Sequence, residues 1–350
     1  MEDVIYRQST QYRFFTFTPS SLSSLRAATN AHAAQQLLLE LGSSASPELM
    51  LTPIEELKLV TYYLTTLFAL CDHFKTGSAV KATAMTFLSR LYLRISPLQI
   101  HPKTLLLPIL FLAFKSETGI QSTTWFIKTA AEVNLITTKE ELLAPEINIA
   151  MNLRWSFQVL HPYRGIEGVK AELLVRGELP KERVERSCAK ARSLLTGGGL
   201  FTDCYFLYTP GQITMAGLWA VDAEMCEGYL RSKMPAGEEK VLEKLLRVVR
   251  ECAQWHLLAK TEDGNNYPGL LLRLPQNGVF MDAEVPAELK KEAVRIDRKL
   301  QLLRKPLNGK VKHQATDAAE EERRAKKRKL EQDKMDLDDV FGGGSIIPKK

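Results

Sequence analysis

Two residues of opposite charge stand where apolar segments end and begin. Lys115 closes the run FLAFK (111–115), and Glu146 lies near the start of PEINIAMNLRWSF (145–157). Both segments read as buried helices. A lysine ending one such helix and a glutamate opening the next long one place two charges on a single exposed rim. The chemistry this offers is recognition of another chain's backbone and side chains, by ion pairing and hydrogen bonding, rather than bond breaking. The ordinary alternative is two solvated ends of core helices.

Residue types suited to covalent chemistry do not converge. The six histidines, His32, His73, His101, His161, His256 and His313, are far apart, with no HExxH and no His/Cys ligand spacing. His101 and His161 each precede a proline at a helix start, which favours a local capping role. Gly197-Gly198-Gly199 lacks the strand and the GK[ST] of a phosphate loop, and reads as a helix end in which glycine takes left-handed dihedrals. Glu55-Glu56 and Glu140-Glu141 fit first turns of helices, where carboxylates complement the dipole. The five cysteines, Cys71, Cys188, Cys204, Cys226 and Cys252, form no CxxC pair and read as buried free thiols of a reducing compartment. No catalytic residues, cofactor or metal ligands emerge, and the expectation is a protein that is not an enzyme.

The one strong basic run is Arg323, Arg324, Lys326, Lys327, Arg328 and Lys329, within EEERRAKKRK (320–329). It fits a nuclear import signal in a polar tail; the alternatives are a solvated charge block or a loose nucleic-acid contact. The absence of interleaved aromatics and the DLDD that comes after it argue against nucleic acid. The whole chain carries a net charge of only +6 over 350 residues, with 45% apolar residues. Such a composition is that of a soluble, intracellular protein of ordinary domains plus tails. Its longest apolar run, Leu105 to Phe114, is too short to span a bilayer.

The elements that must position these residues are helices; strand signals are nearly absent. A first segment, 1–17, precedes Thr18-Pro19, which opens a helix predicted to reach about Leu41, with a Ser/Gly/Pro linker then running to residue 50. Thr52-Pro53-Ile54-Glu55 is a capping box, and behind it Leu57, Val60, Leu64, Leu67, Phe68, Cys71 and Phe74 keep helical spacing. A second helix turns Val80, Ala84, Phe87, Leu88 and Leu91 inward. The third, from Pro102 to about Ser116, is apolar nearly all round and so belongs at the centre of a bundle. A fourth lies near 122–130, and a fifth is predicted from Glu146 to about Phe157. Pro108 falls inside the third helix, and a bend is expected there.

This layout recurs. Thr209-Pro210 opens a second very apolar helix, ITMAGLWAV, about 108 residues after His101-Pro102, and Pro162 matches Pro53. Val241, Leu245, Val248, Cys252 and Trp255 then mark the counterpart of the fifth helix. The position equivalent to Lys115 falls near Ala223, so only the first half carries the charged pair. Pro286 opens a last helix with Leu289, Ala293, Ile296, Leu300 and Leu303 in a short heptad seam. That seam serves either to dock the helix on the domains or to form a coiled coil. From Pro306 onward the chain is too polar to offset its ordering entropy and is expected to be disordered.

Two five-helix repeats, with FLAFK ahead of a Glu-led fifth helix and helices flanking both, resemble a cyclin. HPYRGIEG (161–168), TDCYFLYTPGQI (202–213) and STQYRFFTFT (9–18) are similar to the corresponding stretches of the H-type branch of that family. The resemblance covers about Ser9 to Leu303. It implies an all-α fold with cyclin boxes at 51–160 and 161–270, a loop and C-terminal helix at 271–305, and a charged tail at 306–350. It further implies a regulatory subunit of a cyclin-dependent kinase, gripped through the first box by Lys115 and Glu146 with Ser116 and Ala150 beside them. A RING-finger assembly factor and the core of transcription factor IIH are the implied further partners. The implied setting is nuclear, with no membrane and no sequence-specific nucleic acid, and the implied targets are other kinases and the C-terminal repeats of RNA polymerase II. Alternatives are another transcriptional cyclin, a cyclin-fold general transcription factor that binds DNA, and a helical adaptor. The DNA-binding family carries an N-terminal zinc ribbon, and this chain has no cysteine before Cys71.

Overall fold

The computed structural model describes residues 2–42, 46–117, 122–257 and 289–304. Among them the regular structure is helical. Three helices open the chain: α1 (Glu2–Gln8), α2 (Thr10–Phe15) and α3 (Pro19–Leu41). The first repeat holds α4 (Pro53–His73), α5 (Ser78–Leu91), α6 (Pro102–Glu117), α7 (Thr123–Ala131), α8 (Lys139–Leu143) and α9 (Glu146–Asn152). The second holds α10 (Tyr163–Arg176), α11 (Lys181–Thr196), α12 (Cys204–Leu207), α13 (Pro210–Val221), α14 (Ala223–Lys233) and α15 (Glu239–Leu257). Residues 289–304 form α16. Contacts divide the chain into two units, residues 1–37 with 51–297, and residues 38–50 with 298–350. In the second unit, Leu41, Leu300 and Leu303 are buried. The first unit holds both repeats.

Each repeat is organised around one apolar helix. α6 packs on α4, α5, α8 and α9, and α13 on α10, α11, α14 and α15. Their starts are built alike in sequence, proline in the first turn, and Thr209 with Gln212 closes a capping box on α13. Pro108 does not divide α6, which runs unbroken to Glu117. The carbonyl that proline deprives of a donor belongs to Thr104, an exposed residue. Close approach is needed around α13. A Cβ on Gly165 would meet Thr214 Oγ1 at 2.5 Å, and one on Gly217 would meet Leu195 Cγ at 2.9 Å. Glycine at these two positions lets α10 and α11 press against the central helix.

Several sequence expectations are corrected in detail. The fifth helix does not reach Phe157: it stops at Asn152, because Arg154 and Trp155 take left-handed φ of 53° and 56°. Glu140 and Glu141 do open a helix, the five-residue α8 capped by Thr138. α5 is as deeply buried as α6, for Ala82, Thr83, Met85, Thr86 and Arg90 join its expected apolar face. The buried side of α4 includes Leu59, Tyr63 and Leu70, with Leu57 and Phe68 only half-buried. On α15 the buried stripe is Leu242, Leu246, Val249, Cys252 and Ala253, while Val241 is exposed. Two apolar stripes lie one residue apart on that helix, and contact with α13 selects the second. Gly197 ends α11 at φ −107°, not in the left-handed region.

The flanking helices are docked. Phe15, Leu22, Leu93 and Phe206 form one buried cluster, so the N-terminal helices pack on both repeats. Arg26 makes a two-pronged pair with Asp203 at 2.7 Å, Thr29 Oγ1 donates to the Leu93 carbonyl, and the Phe17 amide donates to the Phe206 carbonyl. At the other end of the unit, Leu289, Ala293 and Ile296 are buried. Arg295 reaches Glu55 at 2.7 Å, and Asp297 accepts from Tyr63 at 3.0 Å and pairs with His101 at 2.8 Å. Glu55 also caps α4 through the Thr52 amide, so one carboxylate both starts α4 and holds α16. Pro286 and the tail from residue 305, with the basic run Arg323–Lys329, lie outside the described residues.

Candidate functional site

Lys115 stands in the last turn of α6 and Glu146 in the first turn of α9, each at the helix end whose partial charge it complements. Lys115 Nζ pairs directly with Glu146 Oε1, and both side chains remain about one-third exposed. The ammonium also lies 5.1 Å from the Phe111 ring centre. Pro145 occupies the cap position of α9, where its missing amide removes nothing. The two charges therefore do share a rim, and they meet there.

Exposed apolar side chains lie on and just after α9. Ile147, Met151 and Trp155 are each more than 60% exposed, spaced by four residues, while Ile149, Ala150 and Leu153 face the core. Large apolar side chains left in solvent on the element that carries an ion pair suit a protein-binding surface, with aromatic and methionine anchors and a polar contact. The spacing of four in Ile147, Met151 and Trp155 is present in the sequence, but there it is indistinguishable from one face of a longer buried helix. Ser116 is exposed, with its hydroxyl donating to the Leu112 carbonyl. Ala150 is only 3% exposed, so it forms the floor behind the pair instead of projecting from the rim.

The turn after α9 is fastened to the N-terminus. Ser156 Oγ is 2.7 Å from Thr10 Oγ1, Arg154 lies over the Phe14 ring, and the Leu160 amide donates to the buried Gln11 side chain. These contacts hold α2 against the stretch that leaves α9. In the second repeat the site corresponding to Lys115 has a different character. There Asp222 caps α13 and α14, its carboxyl held down at about 2, first by Arg183 and then by further hydrogen bonds. That is an internal tie between α11 and α13, so the half-exposed Lys–Glu rim belongs to the first repeat.

Among the described residues no group of three His, Cys, Asp or Glu side chains is placed to hold a metal ion, and no helix is long and apolar enough to cross a membrane. All five cysteines are free and buried; burial pushes the Cys71 and Cys204 thiols up to about 12, far from a reactive thiolate. His101 does act locally, its Nδ1 accepting from the Lys103 amide.

Residues 161–256 match the family model described as the cyclin C-terminal domain. The chain is 32% identical over 240 residues to Cyclin mcs2 of Schizosaccharomyces pombe, covering 65% of this chain and 73% of that protein. It is 30% identical over 253 residues to Cyclin CCL1 of Saccharomyces cerevisiae, covering 68% of this chain and 63% of the relative, just under two-thirds of its length. Among solved structures it is similar to a chain of the CAK complex from Chaetomium thermophilum bound to ATP-gamma-S. That likeness has a TM-score of 0.75 and 32% identity, over 87% of this chain and 90% of the other.

Proposed function

The chain belongs to the cyclin family, and on that premise we propose that it is the regulatory subunit of a cyclin-dependent kinase of the CDK-activating, transcriptional type. Residues 51–160 and 161–270 are its two cyclin boxes, and the first engages the kinase. The single observation that carries this reading is the rim of Lys115 and Glu146, with Ile147, Met151 and Trp155 exposed on and just after the same helix. The likeness to a chain of a CAK complex supports it.

In this reading the ion pair supplies fixed donors and acceptors for the kinase's regulatory helix, and the exposed apolar side chains supply area to bury. Holding that helix inward lets the kinase complete its own Lys–Glu pair and align ATP phosphates. The cyclin acts by binding the active conformation better than the inactive one, which needs no chemistry of its own. Ser116 lines the rim, Ala150 supports it from behind, and α1 and α2 add contacts beside it.

A RING-finger assembly factor and the core of transcription factor IIH are the further partners of this proposal. The setting is the nucleus, with import directed by the run Arg323 to Lys329. The test is reconstitution: the full chain, co-expressed with its candidate cyclin-dependent kinase, should raise phosphorylation of a peptide bearing the polymerase C-terminal repeats. A kinase that is equally active with and without the chain would refute the proposal.

A further inference from the structure

Three side chains from three elements tie the end of α6 to the start of α10. Thr83, on α5 and fully buried, donates its hydroxyl hydrogen to Glu117 Oε1 at 2.6 Å and lies 3.0 Å from His161 Nε2. A hydroxyl has one hydrogen to give. With that hydrogen on the carboxylate, the Thr83 oxygen must accept from the imidazole, which fixes the His161 hydrogen on Nε2. The same nitrogen is 3.6 Å from Glu117 Oε1.

The imidazole is itself held by the second repeat. It stacks on Tyr163, centres 5.4 Å apart and planes within 10°, and meets the edge of Tyr205. Arg192 lies over the Tyr163 ring in turn. Only 10% of the His161 side chain is exposed, and its Nδ1 has no partner among the described residues. The Glu117 carboxyl is held below its ordinary value, first by the neighbouring His161 imidazole and also by the Thr83 hydroxyl. Glu117 is the last residue of α6, two positions beyond Lys115, where helix carbonyls lack amide partners and a turn frays unless a side chain anchors it.

We infer that Thr83, Glu117 and His161 are positioning residues that hold the last turn of α6, and with it Lys115, in fixed register with the second repeat. The inference rests on the reading of the Lys115–Glu146 rim as the kinase contact. It makes the junction between repeats a determinant of kinase affinity without its touching the kinase.

The test uses the full chain titrated with the co-expressed kinase subunit, comparing wild type, Thr83→Ser and Thr83→Val. Serine keeps the hydroxyl and should bind like wild type. Valine keeps the shape without the hydroxyl and should weaken binding about tenfold, the size of one lost charge-assisted hydrogen bond. In the free chain, the ring nitrogen-15 shifts of His161, assigned with His161→Gln, should report the Nε2–H form in wild type and Thr83→Ser. They should report a mixture of forms in Thr83→Val. Should Thr83→Val fail to fold, Glu117→Gln takes its place, with an expected loss of about threefold. Equal affinity of the folded valine and serine variants would overturn the relay while leaving the kinase contact intact. A wild type that binds no kinase would instead overturn the contact, and this inference with it.

Discussion

Lys115 and Glu146 are each other's partners in the free chain, joined across 31 residues at the meeting of α6 and α9. The pair is preformed, so a partner meets oriented charges rather than two mobile side chains, which lowers the ordering cost of binding. Because both are about one-third exposed, the pair itself adds little to stability. Its weight is expected in binding.

Glu56 should make stability depend on pH. Its carboxyl is buried on α4 beside Ser96, which donates to it, and burial raises it from 4.5 to about 6. The folded state therefore holds this proton more tightly than the unfolded state. Its stabilising effect is complete below pH 4.5 and is lost as pH rises through 6. Above that the cost is about 2 kcal/mol. Glu56→Gln should remove this pH dependence and leave the variant more stable than wild type at about pH 7.5 by about 1 kcal/mol. Urea denaturation at about pH 5 and about pH 7.5 measures it; parallel pH curves for the two proteins would contradict the assignment.

Arg90 is a second buried charge, 1% exposed, with no carboxylate paired to it among the described residues. Its Nη1 donates to the Ser156 carbonyl at 3.3 Å, its guanidinium lies 4.5 Å from the Phe15 ring centre, and Nε has no partner. Burial pulls it down to about 9. Arg90→Met retains the aliphatic stem and removes the charge, so the expected result is unchanged or increased stability, by up to ~3 kcal/mol. A clear loss of stability on thermal unfolding would mean that the Phe15 and Ser156 contacts outweigh the burial cost.

The last helix should behave as a docked element and not as a coiled coil. Leu289, Ala293, Ile296, Leu300 and Leu303, the whole heptad seam, are buried within a single chain. Light scattering should therefore find a monomer. Ile296→Ala, at a fully buried position, should cost about 2–5 kcal/mol. A dimer that the same substitution dissociates would restore the coiled-coil alternative.

Local chemistry decides what is legible in the sequence. Thr52 with Glu55, and Thr209 with Gln212, announce helix starts through side-chain and backbone bonds only three residues apart. The apolar run around Leu110 marks a bundle centre, and Lys115 and Glu146 meet on one rim as their places at the helix ends imply. Features that depend on distant partners are hidden. Nothing near Asn152 ends the fifth helix; Arg154 and Trp155 turn left-handed where Arg90, Thr10 and Phe14 hold the adjoining turn. The choice between neighbouring stripes on α15 is likewise made by α13. Thr83 and His161, 78 residues apart, carry no pattern that a single sequence displays.

The most direct measurement of the central claim is kinase activation by the full chain bearing Lys115→Ala, Glu146→Ala or both. Each single variant should keep the wild-type melting temperature within about 2 °C, since surface charge changes shift stability by about 0.5 kcal/mol or less. Each should weaken kinase binding by roughly 2–5 kcal/mol, as expected when one partner of a contact-buried charge pair is removed, with activation lost in proportion. Wild-type binding and activation by the double variant would contradict the assignment of the rim.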